Sequence, residues 1–181
     1  LSKQAEAQNY QVYMVTPDKD YAQLVSDNIF MYRPARSGND IEIWGVKEVQ
    51  EKFEVQNPLQ VIDFLGMMGD AVDNIPGLPG VGEKTAKKLL ADFGSMENLL
   101  AHTDQLKGKL RENIESNKEK GILSKQLATI MLDVPVTFDE EDFAMSEPDF
   151  EAVGRIFEEL EFRQLLQNFL RTYQPEMPTA P

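Results

Sequence analysis

Apolar and polar positions along the chain fall into two regimes. Residues 10–15 (YQVYMV) and 29–32 (IFMY) are short runs rich in aromatic and β-branched side chains, as in buried strands. Residues 41–44 (IEIW) alternate, as a strand or hairpin arm does. Between the first two runs lie the polar turn TPDKD and a short helical piece, YAQLV. Beyond residue 45 the period lengthens. Residues 46–53 predict a short helix. Pro58 stands at the favoured first-turn position of another, whose segment LQVIDFLGMMG is apolar all round and so expected to be buried. Further helices are predicted over 83–93 with Gly94 as its stop, after a Ser95 cap, over 108–117, over 119–131, and once or twice within 150–170. Residues 1–8 read as the end of a helix, 33–40 as a loop around Pro34 and Gly38, 134–138 as an edge strand, and the chain from 171 as a proline-bearing tail. Strands first and helices afterwards predict a small α/β portion feeding an α-helical one.

Composition narrows the chemistry. A chain of 181 residues, 41% of them hydrophobic, is enough for a real core in one domain or one with a small appendage. It has no cysteine, so disulfides and thiolate metal sites are excluded. A single histidine, His102, excludes a multi-histidine zinc site and is expected on the surface near a helix end. There is no apolar run of bilayer length and no signal-peptide profile, so a soluble cytoplasmic protein without membrane contact is expected. The net charge of −13 argues against a generic nucleic-acid binder, but the acidity is uneven. Residues 82–125 carry nine basic against seven acidic groups, whereas 133–161 carry eleven acids against Arg155 alone. That acidic block reads as a solvated face.

The segment IPGLPGVGEKTAKKLL carries the most information. Pro76, Gly77, Pro79, Gly80, Val81 and Gly82 form a tight turn, and Gly80 and Gly82 are expected to take backbone conformations closed to other residues. The turn ends on a helix N-terminus, where outward N–H groups and the helix dipole hold an anion. Lys84, Lys87 and Lys88 add charge beside it. This is the design of a helix–hairpin–helix contact with one nucleic-acid strand, reading backbone and not base edges. The plainer reading is an interhelical turn packed on its glycines. A Walker A loop is excluded, because GVGEKT lacks the spacer and follows a helix.

Two carboxylate pairs flank these elements. Asp18 and Asp20 lie at the end of the first strand, two apart in a stretch expected to be extended, so both would point one way. Asp70 and Asp73 lie three apart near a helix end and would share a face. Should the pairs converge, oxygen ligands without histidine or cysteine favour Mg²⁺ or Mn²⁺. Taken singly, the first pair also reads as turn chemistry and the second as helix capping. Asp63, inside a helix, is left out of this set.

VTPDKDYAQLV, FLGMMGDAVDNIPGLPGVGEKTAKKLLADFGSMENLL, ILSKQLATIMLDVPV and FEELEFRQLL together resemble the 5′ nuclease family, in the form found in bacterial DNA polymerase I and related to the flap endonucleases. The resemblance implies an α/β fold: a truncated sheet-based nuclease core over 1–56, a mainly α-helical helix–three-turn–helix region over 57–171 that binds DNA, and a linker or tail over 172–181. It implies that Asp18, Asp20, Asp70 and Asp73 bind metal, as half of a site whose remainder lies in a missing N-terminal part. It places Gly77, Gly80, Gly82, Lys84 and Thr85 in the DNA-binding turn, with K⁺ bound by turn carbonyls. The implied partner is double-stranded DNA with a 5′ flap or nick, gripped by a monomer within a longer polymerase; the piece alone is expected to cut weakly or not at all. A non-catalytic DNA clamp with structural aspartates is the competing reading, and a protein-interaction domain a third.

Overall fold

The computed structural model describes residues 1–34 and 41–173. The chain divides into two compact units, Leu1–Phe138 and Asp139–Pro181. In the first, helix α1 (Ser2–Ala7) leads into strand β1 (Val12–Val15), a 3₁₀ turn (Lys19–Leu24), β2 (Ile29–Pro34) and β3 (Ile41–Trp44). β1 and β2 run parallel, with Val12 opposite Ile29; β2 and β3 are antiparallel, with Met31 opposite Trp44. Most of the loop expected over 33–40 lies outside the described residues, and Arg33 and Pro34 end β2.

Helices α2 (Val46–Phe53), α3 (Gln60–Met68), α4 (Glu83–Phe93), α5 (Met96–Ala101), α6 (Gly108–Glu115) and α7 (Lys118–Ala128) follow. Met31 and Trp44 from the sheet, Phe53 from α2, Phe64 and Leu65 from α3, Leu89 and Leu90 from α4 and Ile114 from α6 belong to one core. Aromatic edges link its layers: Trp44 meets Phe53 at 6.4 Å, and Phe53 meets Phe64 at 5.5 Å. α3 is buried as its composition requires. It begins at Gln60, later than Pro58, because residues 58 and 59 are spent in the turn that starts it. α3 and α7 approach closely: a Cβ on Gly66 would lie 2.8 Å from the Lys125 Cα. α4 ends at Gly94 in the left-handed region, and Ser95 caps α5 by accepting from the Asn98 N–H at 3.2 Å.

Residues 134–138 are not a strand. The Gln4 side chain substitutes for a ladder, donating to the Val136 carbonyl at 2.9 Å and accepting from the Phe138 N–H at 2.7 Å. His102 is exposed on the C-terminal flank of α5, as expected. The second unit holds α8 (Phe150–Glu159) and α9 (Arg163–Tyr173), joined at Phe157–Phe169 and Phe150–Phe169 ring contacts. Asp149 caps α8. Residues 171–173 complete α9 instead of beginning a tail; the rest of that tail lies outside the described residues. Among the described residues no helix is long and apolar enough to cross a membrane.

Candidate functional site

The ten residues after α3 fold back on themselves. Gly69 ends the helix at φ +77°, and Asp70 and Ile75 then exchange both backbone hydrogen bonds, at 2.9 and 2.8 Å. Asp70 and Asp73 therefore sit on a reversed loop, not on the helix face that their spacing predicted. The helix stops at Met68 because Gly69 breaks its handedness. Gly77, at φ +65°, closes the loop; a Cβ there would lie 2.6 Å from the Gly69 nitrogen. The Leu78 N–H returns to the Met67 carbonyl at 2.8 Å.

Asp18 and Asp20 are likewise not in extended chain. Asp18 is the N-cap of the 3₁₀ turn, accepting from the Asp20 N–H at 3.0 Å. Capping brings Asp20 into the first turn and Lys19 between the two acids. Asp18 nonetheless meets Asp70 and Asp73. Asp18, Lys19, Arg33, Asp70 and Asp73 line one cleft of about 290 Å³, with Pro17 and Val72 as its apolar rim. Asp20 does not line the cleft; its Oδ1 is 3.9 Å from the Lys19 Nζ. That oxygen is buried and has no hydrogen-bond partner.

Lys19 also bonds the buried Asp70 carboxylate. Asp70 further accepts from the Val72 N–H at 2.9 Å. The Lys19 bond outweighs burial and holds the Asp70 carboxyl below its ordinary range. Asp20 moves the other way: burial first, then the charge of Asp18, with smaller pushes from Asp70 and Asp73, raise it against the pull of Lys19. The four aspartates are thus within electrostatic reach of one another. Arg33 is committed elsewhere, donating to the Pro17 carbonyl at 2.7 Å and stacking 3.8 Å from the Trp44 ring centroid.

The chemistry of this donor set fits a hard divalent cation: carboxylates only, one with an oxygen lacking any partner. The set is partial. Among the described residues no group of three acids gathers closely enough to enclose a cation.

The same loop runs into α4. Gly77, Leu78 and Val81 are buried and shape the turn; Gly80, Gly82 and Lys84 are exposed, and Thr85 is half-buried. Gly80 is at φ +78°, as expected for a residue closed to others. Gly82 is not: at φ −96° and ψ −177° it is ordinary extended backbone. Its effect is different, since no atom lies within 4 Å of a would-be Cβ and no side chain caps the first-turn amides of α4. A phosphate could approach them there. Lys88 is exposed as well, but Lys87 is engaged with Glu54 and Glu83, both at 3.0 Å.

One acid left out of the metal set has a structural role that its sequence position does not reveal. Asp63, inside α3, is buried and accepts from the Met96 N–H at 2.8 Å and from Lys125 Nζ at 2.6 Å. It joins α3, α5 and α7, and an acid on an all-apolar helix was the available signal.

The family described as 5′-3′ exonuclease, C-terminal SAM fold, matches residues 56–151. The chain is 41% identical over 168 residues to DNA polymerase I of Bacillus caldotenax, covering 92% of this chain and 19% of that protein. It is 41% identical over 170 residues to the thermostable DNA polymerase I of Thermus filiformis, covering 93% and 20%. It thus spans about a fifth of the length of these relatives. Among solved structures, T5 5′-exonuclease with divalent metal ions (zinc) bound is similar at a TM-score of 0.58 and 22% identity, over 70% of this chain and 47% of that one. The catalytic core of Rad2 in complex with DNA substrate is similar at 0.55 and 16%, over 96% and 56%. These two likenesses establish the fold, an α/β nuclease core followed by a helical region.

Proposed function

The chain belongs to the 5′-3′ exonuclease family, and from that membership we propose that it is the duplex-gripping and partial metal-binding portion of a 5′ nuclease of the DNA polymerase I type. The parent protein would hydrolyse phosphodiesters at 5′ flaps and nicks. The observation that carries this reading is continuity. One folded-back loop presents Asp70 and Asp73 to the acid cleft at one end and opens α4 through Gly80 and Gly82 at the other. A strand held at the turn would run within reach of the cleft.

In this reading the exposed α4 amides, Lys84 and Lys88 hold phosphates of a duplex without regard to sequence. Thr85 joins them at the DNA-binding turn, and carbonyls of the Gly77–Gly80 bend take K⁺. Asp18, Asp20, Asp70 and Asp73 hold Mg²⁺ or Mn²⁺. A divalent metal there would supply an activated water and charge neutralisation at the scissile phosphate. The protein's own part is to hold those carboxylates in place, through the Asp18 cap and the Asp70 loop bonds. The ligand set is incomplete, so the chain alone acts as a monomeric binder that cuts slowly or not at all.

The related T5 enzyme is described with divalent metals and the Rad2 core with DNA substrate, which supports both assignments. The test is thermal melting with and without Mn²⁺, alongside duplex binding. A Mn²⁺-dependent rise in Tm that is lost in the double variant Asp70→Asn, Asp73→Asn supports the reading. Duplex binding with no metal response would leave a non-catalytic clamp.

A further inference from the structure

Two cations line the acid cleft, and they are held differently. Arg33 is fixed by the Pro17 carbonyl and the Trp44 ring. Lys19 instead places its ammonium among the carboxylates, bonding Asp70 and lying 3.9 Å from the unpartnered Asp20 oxygen. Its stem starts on a short 3₁₀ turn and its side chain remains 37% exposed, so the head group has open space into which to swing.

We propose that Lys19 is a resident counter-cation that occupies the place of the divalent metal and must be displaced for metal to bind. The inference rests on the metal-binding reading above. It follows from charge and space: an ammonium and a divalent ion cannot share the gap between Asp20 and Asp70, because each is repelled by the other and both need the same oxygens. Without metal, Lys19 relieves the mutual repulsion of four carboxylates and keeps the cleft folded. With metal, the ion must first win Asp70 from Lys19, so Lys19 weakens divalent binding and makes loading reversible. Lys19 is therefore a regulator of metal occupancy and not itself a ligand.

The test is Mn²⁺ titration of the chain, followed by loss of the free-ion electron paramagnetic resonance signal. Wild type, Lys19→Met, Lys19→Arg and Asp70→Asn are compared, and the metal-free Tm of each is measured. Lys19→Met is expected to bind Mn²⁺ about two- to fivefold more tightly, the scale of one lost part-exposed ion pair, while its metal-free Tm falls. Lys19→Arg keeps the charge and should keep the weak affinity. If Lys19→Met does not fold, Lys19→Gln provides the same charge removal. Wild-type binding that is unchanged or weakened by both neutral variants would overturn the counter-cation role while leaving the metal site intact. Absence of Mn²⁺ binding in every variant would instead overturn the metal-binding reading itself, and this inference with it.

Discussion

The backbone N–H of Gly77 donates to the hydroxyl of Ser124 at 2.9 Å, joining residues 47 apart in sequence. Ser124 passes the bond on to the Lys120 carbonyl at 2.7 Å and is itself fully buried on α7. The loop that links the acid cleft to α4 is thereby pinned to a helix that contributes nothing to either. Gly77 cannot carry a side chain there, since a Cβ would lie 2.7 Å from the Met68 carbonyl carbon and oxygen. Gly77→Ala should lower stability by about 2 kcal/mol or more. Ser124→Ala, which strands a buried N–H, should cost about 1–3 kcal/mol. Urea denaturation of both variants checks this.

Gly82 should behave in the opposite way. Its backbone suits any residue and its surroundings are open. Gly82→Ala is expected to change stability by less than about 1 kcal/mol and yet weaken duplex binding, because the new methyl occupies open space through which a phosphate would approach the turn. Melting and fluorescence anisotropy on one preparation separate the two effects. A joint loss of stability and affinity would make the position a packing glycine.

Asp63 is a structural acid. Asp63→Ala removes the acceptor of both the Met96 N–H and Lys125, leaving a part-buried ammonium with only Glu97 at 2.8 Å. The expected cost is about 3–5 kcal/mol. In the double variant Asp63→Ala, Lys125→Met the loss should be smaller than the sum of the single changes, because the stranded charge has gone. A chemical-denaturation cycle measures that coupling.

Acid should act oppositely on Asp70 and Asp20 in the metal-free chain. The folded pKa of Asp70 is lowered, chiefly by Lys19. Its contribution is complete above the unfolded value of about 3.9 and is lost as pH falls through the lowered folded value. The stability gap between wild type and Asp70→Asn should therefore close at the acid end. The folded pKa of Asp20 is raised, chiefly by burial. It imposes a penalty above that raised value, and the penalty lifts as pH falls towards the unfolded one. Asp20→Asn should then stabilise the metal-free chain at neutral pH. Urea melts across pH 3–8 report both signs.

Local signals were legible in the sequence wherever one residue decides an outcome. α4 runs from Glu83 to Phe93 with Gly94 as its stop, and Ser95 caps α5, because cap and stop chemistry depends on near neighbours. Of the four aspartates, Asp18, Asp70 and Asp73 share one cleft and Asp20 does not line it, and neither pair has the local geometry that its spacing suggested. Asp18 caps a 3₁₀ turn where extended chain was expected, and Asp70 sits in a reversal set by backbone pairing with Ile75. Long-range partners left no periodic trace. Asp63 is explained only by Met96 and Lys125, 33 and 62 residues away. The apolar alternation of 134–138 resembled a strand until a single amide, Gln4, replaced the ladder.

The proposed grip of the turn before α4 on a sugar–phosphate backbone is tested most directly by a salt series of duplex binding, followed by fluorescence anisotropy. Wild type is predicted to bind unrelated duplex sequences equally, with affinity falling steeply as salt rises. Lys84→Gln should weaken binding to all of them and reduce the log–log slope by about one. Duplex binding whose affinity and slope are unchanged by Lys84→Gln and Gly82→Ala would contradict that grip.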